Sequence, residues 1–227
     1  MRRMAPCAVA SLLFPAIVAA QEATSRVYDV DATQSHIFLV THRAGLFSFL
    51  GHEHAVLATE QTAQLCLTPD APARSALRIT IPTHSLVIDS DTARRLARLG
   101  SGPNAEQRAE IARKMMDERR LHADVHTTLS FQTVSVQRTR GDSLQVQGRL
   151  RIRGVERDVR FPARLTTIDP NTVRLQAKLR FKLSDFGVLA ETVAGVVKVA
   201  NDVDLYVDLL AKPTPQECDG EPSGGVP

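Results

Sequence analysis

The sequence predicts an all-β fold with one helical excursion, and three observations carry that prediction. Residues 144–183 alternate apolar and polar side chains, residues near 91–118 change to helical spacing, and alternation then returns as far as residue 209. Successive strand residues point to opposite faces, so alternation marks strands with one oily face and one wet, cationic face. An antiparallel meander of this length either packs on a second sheet or closes on itself around an interior.

Residues 1–20 stand outside that pattern. Arg2 and Arg3 precede an apolar run, and Val18-Ala19-Ala20 supplies small residues for cleavage. This reads as a secretory signal peptide; the run is short for a membrane span and holds Pro6 and Pro15. Its removal takes two arginines and no acid, so the formal charge falls from +3 to about +1. That balance carries no nucleic-acid-binding signature. The expected domain is residues 21–211, followed at 212–227 by a disordered tail rich in proline, glycine and acid. Cys66 and Cys218 remain in the mature chain. They either pair, pinning the tail to an early strand, or stay free.

Taken in order, residues 27–41 read as a strand, with Tyr28, Val30, Ile37 and Leu39 among its apolar positions. Phe38 and Val40 make its second half apolar on both faces, which calls for a cover over that stretch. Residues 44–51 form a glycine-bounded loop with Leu46, Phe47, Phe49 and Leu50, expected at a mouth or tucked under a helix. Residues 55–67 and 76–82 are two further strands, the second with Leu77, Ile79 and Ile81 in register. Ser101-Gly102-Pro103-Asn104 starts a helix in which Ala105, Ala109, Ala112 and Met116 recur beside Ile111 and Met115. Residues 92–99 are a shorter basic helix. The methionine-bearing face is expected to pack on the sheet or to plug one end of a barrel. Strands resume with Leu129 and Phe131. Leu144, Val146, Leu150 and Ile152 then share one parity against Gln145, Gln147, Arg149 and Arg151. Val159 and Phe161 continue the pattern after Gly154, and Val173, Leu175, Leu179 and Phe181 after Pro170-Asn171. Residues 196–199 and 203–209 read as a last strand pair. In it Val203, Leu205 and Val207 oppose Asp202, Asp204, Tyr206 and Asp208, the acids being expected on a solvated face.

An outer-membrane barrel needs an apolar outer face girdled by aromatics. This chain has no Trp, two Tyr, and arginines and lysines along one strand face, which excludes that class. No nucleophile motif, phosphate loop or dinucleotide fingerprint stands out, so the chain is not expected to be an enzyme. His52 and His54 lie two apart and share one face of an extended segment, close enough to hold one zinc or copper ion. His36, His42 and His84 lie near predicted strand ends. The other expectation for these rings is polar groups at a barrel rim, bonded to backbone or gripping a lipid headgroup.

Five segments carry a family resemblance. They are Tyr28-Asp29-Val30-Asp31 with Ser35 and the apolar strand to Gly45; residues 77–81 followed by Ser85-Leu86; residues 129–133; the glycine-bounded hairpin from Gly148 to Val155; and Leu183-Ser184-Asp185-Phe186-Gly187-Val188. In this order they resemble the YceI-like family, exported lipocalin-like barrels linked to polyisoprenoid lipid binding. The chain departs from the family where many members carry a histidine near the end of the first strand; Arg43 stands there, with His42 one residue away. Gly51-His52-Glu53-His54 resembles a subgroup variant. The resemblance implies an antiparallel lipocalin-like β-barrel with one or two helices near residues 91–118. It implies an interior that holds a polyisoprenoid or similar long-chain amphiphile, as carrier or sequestering protein. The inward strand residues from Ile37 to Val207 named above would line that lipid. His42, Arg43, Phe47 and Phe49 would form the mouth or headgroup site, with transient membrane contact. The implied location is periplasmic or secreted. The alternative on the same fold is a periplasmic metal-binding module using His52 and His54 at the rim.

Overall fold

The computed structural model describes residues 25–44, 53–68, 71–189, 192–193 and 197–218. The signal-like leader, the loop bearing Phe47 and Phe49, His52, and the residues after 218 lie outside the described residues. The strands are β1 (Arg26–Val30), β2 (His36–Ala44), β3 (His54–Ala58), β4 (Thr62–Leu67), β5 (Ala76–Pro82) and β6 (Leu86–Ile88), then β7 (Thr128–Arg138), β8 (Ser143–Ile152), β9 (Val155–Asp169), β10 (Thr172–Lys182), β11 (Thr192–Val193) and β12 (Val197–Glu217). Helices α1 (Asp91–Leu96) and α2 (Ala105–Met116) fall between β6 and β7.

Eight strands, β1-β4-β5-β7-β8-β9-β10-β12, close through β12 onto β1, so the sheet is a closed antiparallel barrel and not a two-layer stack. β2, β3 and β6 prolong its wall. β12 pairs along one edge with β10. Along the other it pairs first with β2, from Lys198↔Ala44 to Asp208↔His36, and then with β1, from Val30↔Ala211 to Arg26↔Glu217. β2 continues to β3 and β3 to β6, as β1 continues to β4 and β4 to β5. Thus β1/β2, β3/β4 and β5/β6 are three long staves, each broken in the middle.

All three breaks reverse the side-chain parity. Inward residues are Tyr28 but then Ile37 and Leu39; Val56 and Ala58 but then Leu65 and Leu67; Ile79 and Ile81 but then Leu86 and Ile88. A stave that keeps its oily side inward across a parity change must bulge or turn there. The first turn is held by the Asp31 carboxylate, which accepts from the Thr33 and Gln34 backbones at 2.9 and 3.2 Å. The other two breaks are tied together by Ser85, whose Oγ lies 2.8 Å from the Pro82 carbonyl and 3.2 Å from the Glu60 carbonyl. Residues 27–41 and 55–67, read as single strands, are therefore two strands each. Conversely, residues 197–199 and 203–209, read as parts of a strand pair, belong to the single strand β12, whose register shifts between Val199 and Val203; residue 196 lies outside the described residues.

The tail expectation also changes. Residues 212–217 extend β12 along β1, with Pro213 in register with Tyr28 and Thr214 Oγ1 donating to the Val27 carbonyl at 3.1 Å. Cys218, just beyond, is disulfide-bonded to Cys66, with Cα atoms 6.0 Å apart. Pairing with β1 and a covalent tie override a composition that favours disorder.

Two inward clusters fill opposite ends. Tyr28, Leu65, Leu67, Leu144, Leu209 and Ala211 belong to the one at the disulfide end. Leu150, Ile152, Phe181, Phe186, Val188 and Val203 belong to the one at the opposite, helical end. There the β8–β9 turn has only Arg153 and Gly154, both left-handed (φ 51° and 72°), a turn whose twist matches that of its strands. α1, capped by the Ser90 hydroxyl accepting from the Ala93 amide, packs Ala93 against Ala55 and Leu57, with Phe38, Val87 and Leu96 around them. This helix covers the outer face of β2 and β3 and accounts for a segment apolar on both sides. α2 starts on a capping box between Asn104 and Gln107, packs near β6, and turns Ile111 and Met115 toward the barrel interior.

Candidate functional site

The barrel is hollow. Its interior encloses a cavity of about 270 Å³, running from Leu67 and Ser75 at the disulfide end to Met115, Leu121 and Leu189 at the helical end. The wall is almost wholly hydrocarbon because alternation turns the arginines and lysines of β8, β9 and β10 outward. Gly148 shapes this wall: a Cβ there would lie 2.4 Å from the Phe131 ring, so only glycine lets that ring lie across β8.

Of the strand residues expected inside, all but Val159, Val173 and Val203 line the cavity. Val203 is fully buried among Leu150, Phe181 and Phe186, Val159 packs on that same cluster, and Val173 belongs to the cluster at the other end. These three face inward but meet neighbouring side chains instead of the void. Sequence reasoning missed Val56, Ala58, Leu65, Leu67, Leu86 and Ile88, which also line it. Their alternation is present in the chain, but the parity reversals hide which set points in. It also left open the role of Ile111 and Met115, which line the helical end.

His42 does not line the cavity. It shares the outward parity of Phe38 and Val40, and its ring stands between two carboxylates, with Nδ1 3.3 Å from Glu53 Oε1 and Nε2 3.1 Å from Asp204 Oδ2. Of Arg43 only the backbone is described, paired with Val199. Asp204 is outward, as expected, but is not solvated: it is 2 % exposed, held by Arg180 in two hydrogen bonds of 2.7 and 2.9 Å and by Lys178 at 2.9 Å. The Arg180 guanidinium, followed by Lys178 and His42, holds its carboxyl well below the usual carboxylate range despite burial.

Among the described histidines, His54 lines the cavity. Its Nδ1 lies 2.6 Å from Asp89 Oδ2. Asp89 sits in a left-handed turn (φ 49°) just after β6, is 2 % exposed, and also accepts from the Ala55 amide at 3.1 Å and Arg94 Nη1 at 2.6 Å. Burial alone would raise the Asp89 carboxyl, but these hydrogen bonds outweigh it and hold the group below its ordinary value. Arg94 is fixed in turn by the carbonyls of Glu53, Gly100 and Ser101. Among the described residues, no group of three or more His, Cys, Asp or Glu is placed to hold a metal ion, and His52 lies outside them.

A YceI-like domain model matches residues 28–211 of this closed, hollow barrel. The chain belongs to the YceI-like family. Solved structures agree with this YceI-like barrel at the level of the fold. Burkholderia cenocepacia BcnA is 20 % identical with a TM-score of 0.61, over 81 % of this chain and all of that one. A polyisoprenoid binding domain from Saccharophagus degradans, implicated in plant cell wall breakdown, is 12 % identical with a TM-score of 0.55, over 82 % of this chain and 98 % of that one. The Campylobacter jejuni YCEI protein is 15 % identical with a TM-score of 0.53, over 71 % and 85 %. No curated protein matches the chain in sequence.

Proposed function

We propose that this YceI-like protein binds a polyisoprenoid or similar long-chain amphiphile inside its barrel and acts as a carrier or sequestering protein. The observation that carries this reading is the hydrocarbon-walled void itself. Apolar cavities destabilise a fold by roughly 24 cal/mol per Å³, so about 270 Å³ left empty would cost several kcal/mol. A flexible hydrocarbon chain fills such a space and gains roughly 25 cal/mol per Å² of apolar surface removed from water. The polyisoprenoid binding domain with the same fold supports the class of ligand. Export to the periplasm or beyond belongs to the same proposal. The basic, apolar and small-residue pattern at the N-terminus supports it, as does the Cys66–Cys218 bridge, which suits an oxidising compartment.

The test is native mass spectrometry with solvent extraction of the full chain made in a bacterial periplasm. A co-purified long-chain lipid is the expected result, and Ala177→Phe, which builds a ring into the void, should lower its occupancy severalfold. A lipid-free protein that also fails to take up added long-chain alcohols would count against the proposal.

A further inference from the structure

The cavity wall contains a few polar side chains, and most of their oxygens are already engaged. Thr41 Oγ1 accepts from the His54 amide at 3.3 Å, Ser75 Oγ from the Thr68 amide at 3.0 Å, and Thr133 Oγ1 from the Leu77 amide at 3.2 Å. Lys114 is paired with Glu110 at 2.9 Å, and Arg120 with Asp117 at 2.7 Å. His54 differs. Its Nδ1 is bound by Asp89, while Nε2 has no hydrogen-bond partner among the described residues.

The Asp89 carboxylate decides which ring nitrogen carries the proton. Asp89 is ionised, so it can only accept, and the Nδ1–H must donate. Arg94 shares the same carboxylate, donating from Nη1 to Oδ1 at 2.6 Å while His54 Nδ1 meets Oδ2. A neutral ring with its proton on Nδ1 leaves Nε2 as a bare lone pair beside hydrocarbon. Such an atom needs a donor from whatever fills the cavity, because an unsatisfied polar atom beside a dry ligand is costly.

We propose that His54 Nε2 is the headgroup anchor of the cavity and that it selects a long-chain ligand ending in a hydroxyl, alcohol or phenol, which donates to it. Asp89 and Arg94 are positioning residues: they fix the tautomer and never touch the ligand. This places the polar end of the ligand near His54, with its chain running toward Leu67 and Ser75. The inference rests on the lipid-container reading above and specifies the ligand end that reading leaves open.

The test compares geranylgeraniol with geranylgeranyl methyl ether, which keeps the chain and removes the donor, on the delipidated full-length protein. The alcohol should bind about tenfold tighter, the worth of one hydrogen bond at such a site. His54→Phe should bring the two affinities within about twofold while both still bind, and ¹⁵N spectra of the wild type should show Nδ1 protonated and Nε2 bare. Equal binding of alcohol and ether by the wild type would overturn the anchor and leave the container standing. Tighter binding of geranylgeranyl phosphate than of the alcohol would overturn it too, since an anionic head requires a donor at His54. If neither neutral probe binds, the container reading falls and the anchor with it.

Discussion

At one end of the barrel, β1, β4 and β12 meet under the Cys66–Cys218 bridge, and Leu65, Leu67, Leu144, Leu209 and Ala211 close the interior. At the other end β6 has no strand partner beyond β3 among the described residues, α1 and α2 follow it in place of further sheet, and the cavity wall passes through Met115, Leu121 and the 60 % exposed Leu189. The first end is held by covalent and main-chain bonds, and the Ser75 oxygen that lines the void there is already engaged by the Thr68 amide. The second is held by side chains, and there Asp89 turns His54 inward. The contrast teaches that closure and recognition are separable in this fold: the disulfide end fixes the stability of the hollow, and the helical end presents chemistry to it.

The largest effect is expected from cutting the bridge. Cys66→Ser with Cys218→Ser frees a loop spanning 152 residues, which by chain-entropy reasoning costs roughly 4–5 kcal/mol. Urea unfolding should show a loss of that order, with lipid affinity in the surviving folded protein changed less than twofold. A large loss of affinity would mean that the two ends are coupled.

Asp204 lies on the outer face of the helical half and outside the cavity lining. Asp204→Ala leaves Arg180, Lys178 and His42 facing one another around an empty position, and the expected cost is about 3 kcal/mol in chemical denaturation. Its pH dependence has a definite sign. The folded carboxyl is depressed below its unfolded value of about 3.9, so its contribution is complete above that pH and is lost as the pH falls further. Asp204→Asn should therefore flatten the acid limb of the stability curve below about pH 4 and leave lipid selectivity intact.

Gly148→Ala probes the wall between the ends. The added Cβ would lie 2.4 Å from the Phe131 ring and 2.7 Å from the Gln132 carbonyl oxygen, so ring and strand must both give way, at an expected cost of about 1–3 kcal/mol, with reduced lipid capacity in the same preparation. The smallest effect is expected at the helical end itself. Met115→Ala removes a partly buried liner and should cost about 1 kcal/mol while speeding lipid release in stopped-flow exchange. Slower release would show that the ligand does not pass α2.

The alternation of β8 and β10 makes their inward sets legible in the chain alone, because each strand keeps one parity from end to end. The early staves were not legible in the same way. Tyr28 and Ile37 differ in parity although both face the interior, so a single-period reading cannot follow them. The candidate site was half legible: His54 could be noticed beside His52, but Asp89 lies 35 residues away and carried no motif. His42, equally noticeable, turned outward to Glu53 and Asp204.

By itself, the chain determined the class of the fold, the side of most strands that is oily, the helical interruption and the break between two strands at Gly154. Those follow from local rules, since side-chain direction repeats every two residues in a strand and turn geometry depends on the residues within the turn. Tertiary structure alone decided that the meander closes, that its interior stays hollow, that Cys218 reaches Cys66, and that Asp89 fixes the His54 ring. Each of these depends on where distant staves come to lie side by side, and on whether the inward side chains together are too small to fill the space they enclose.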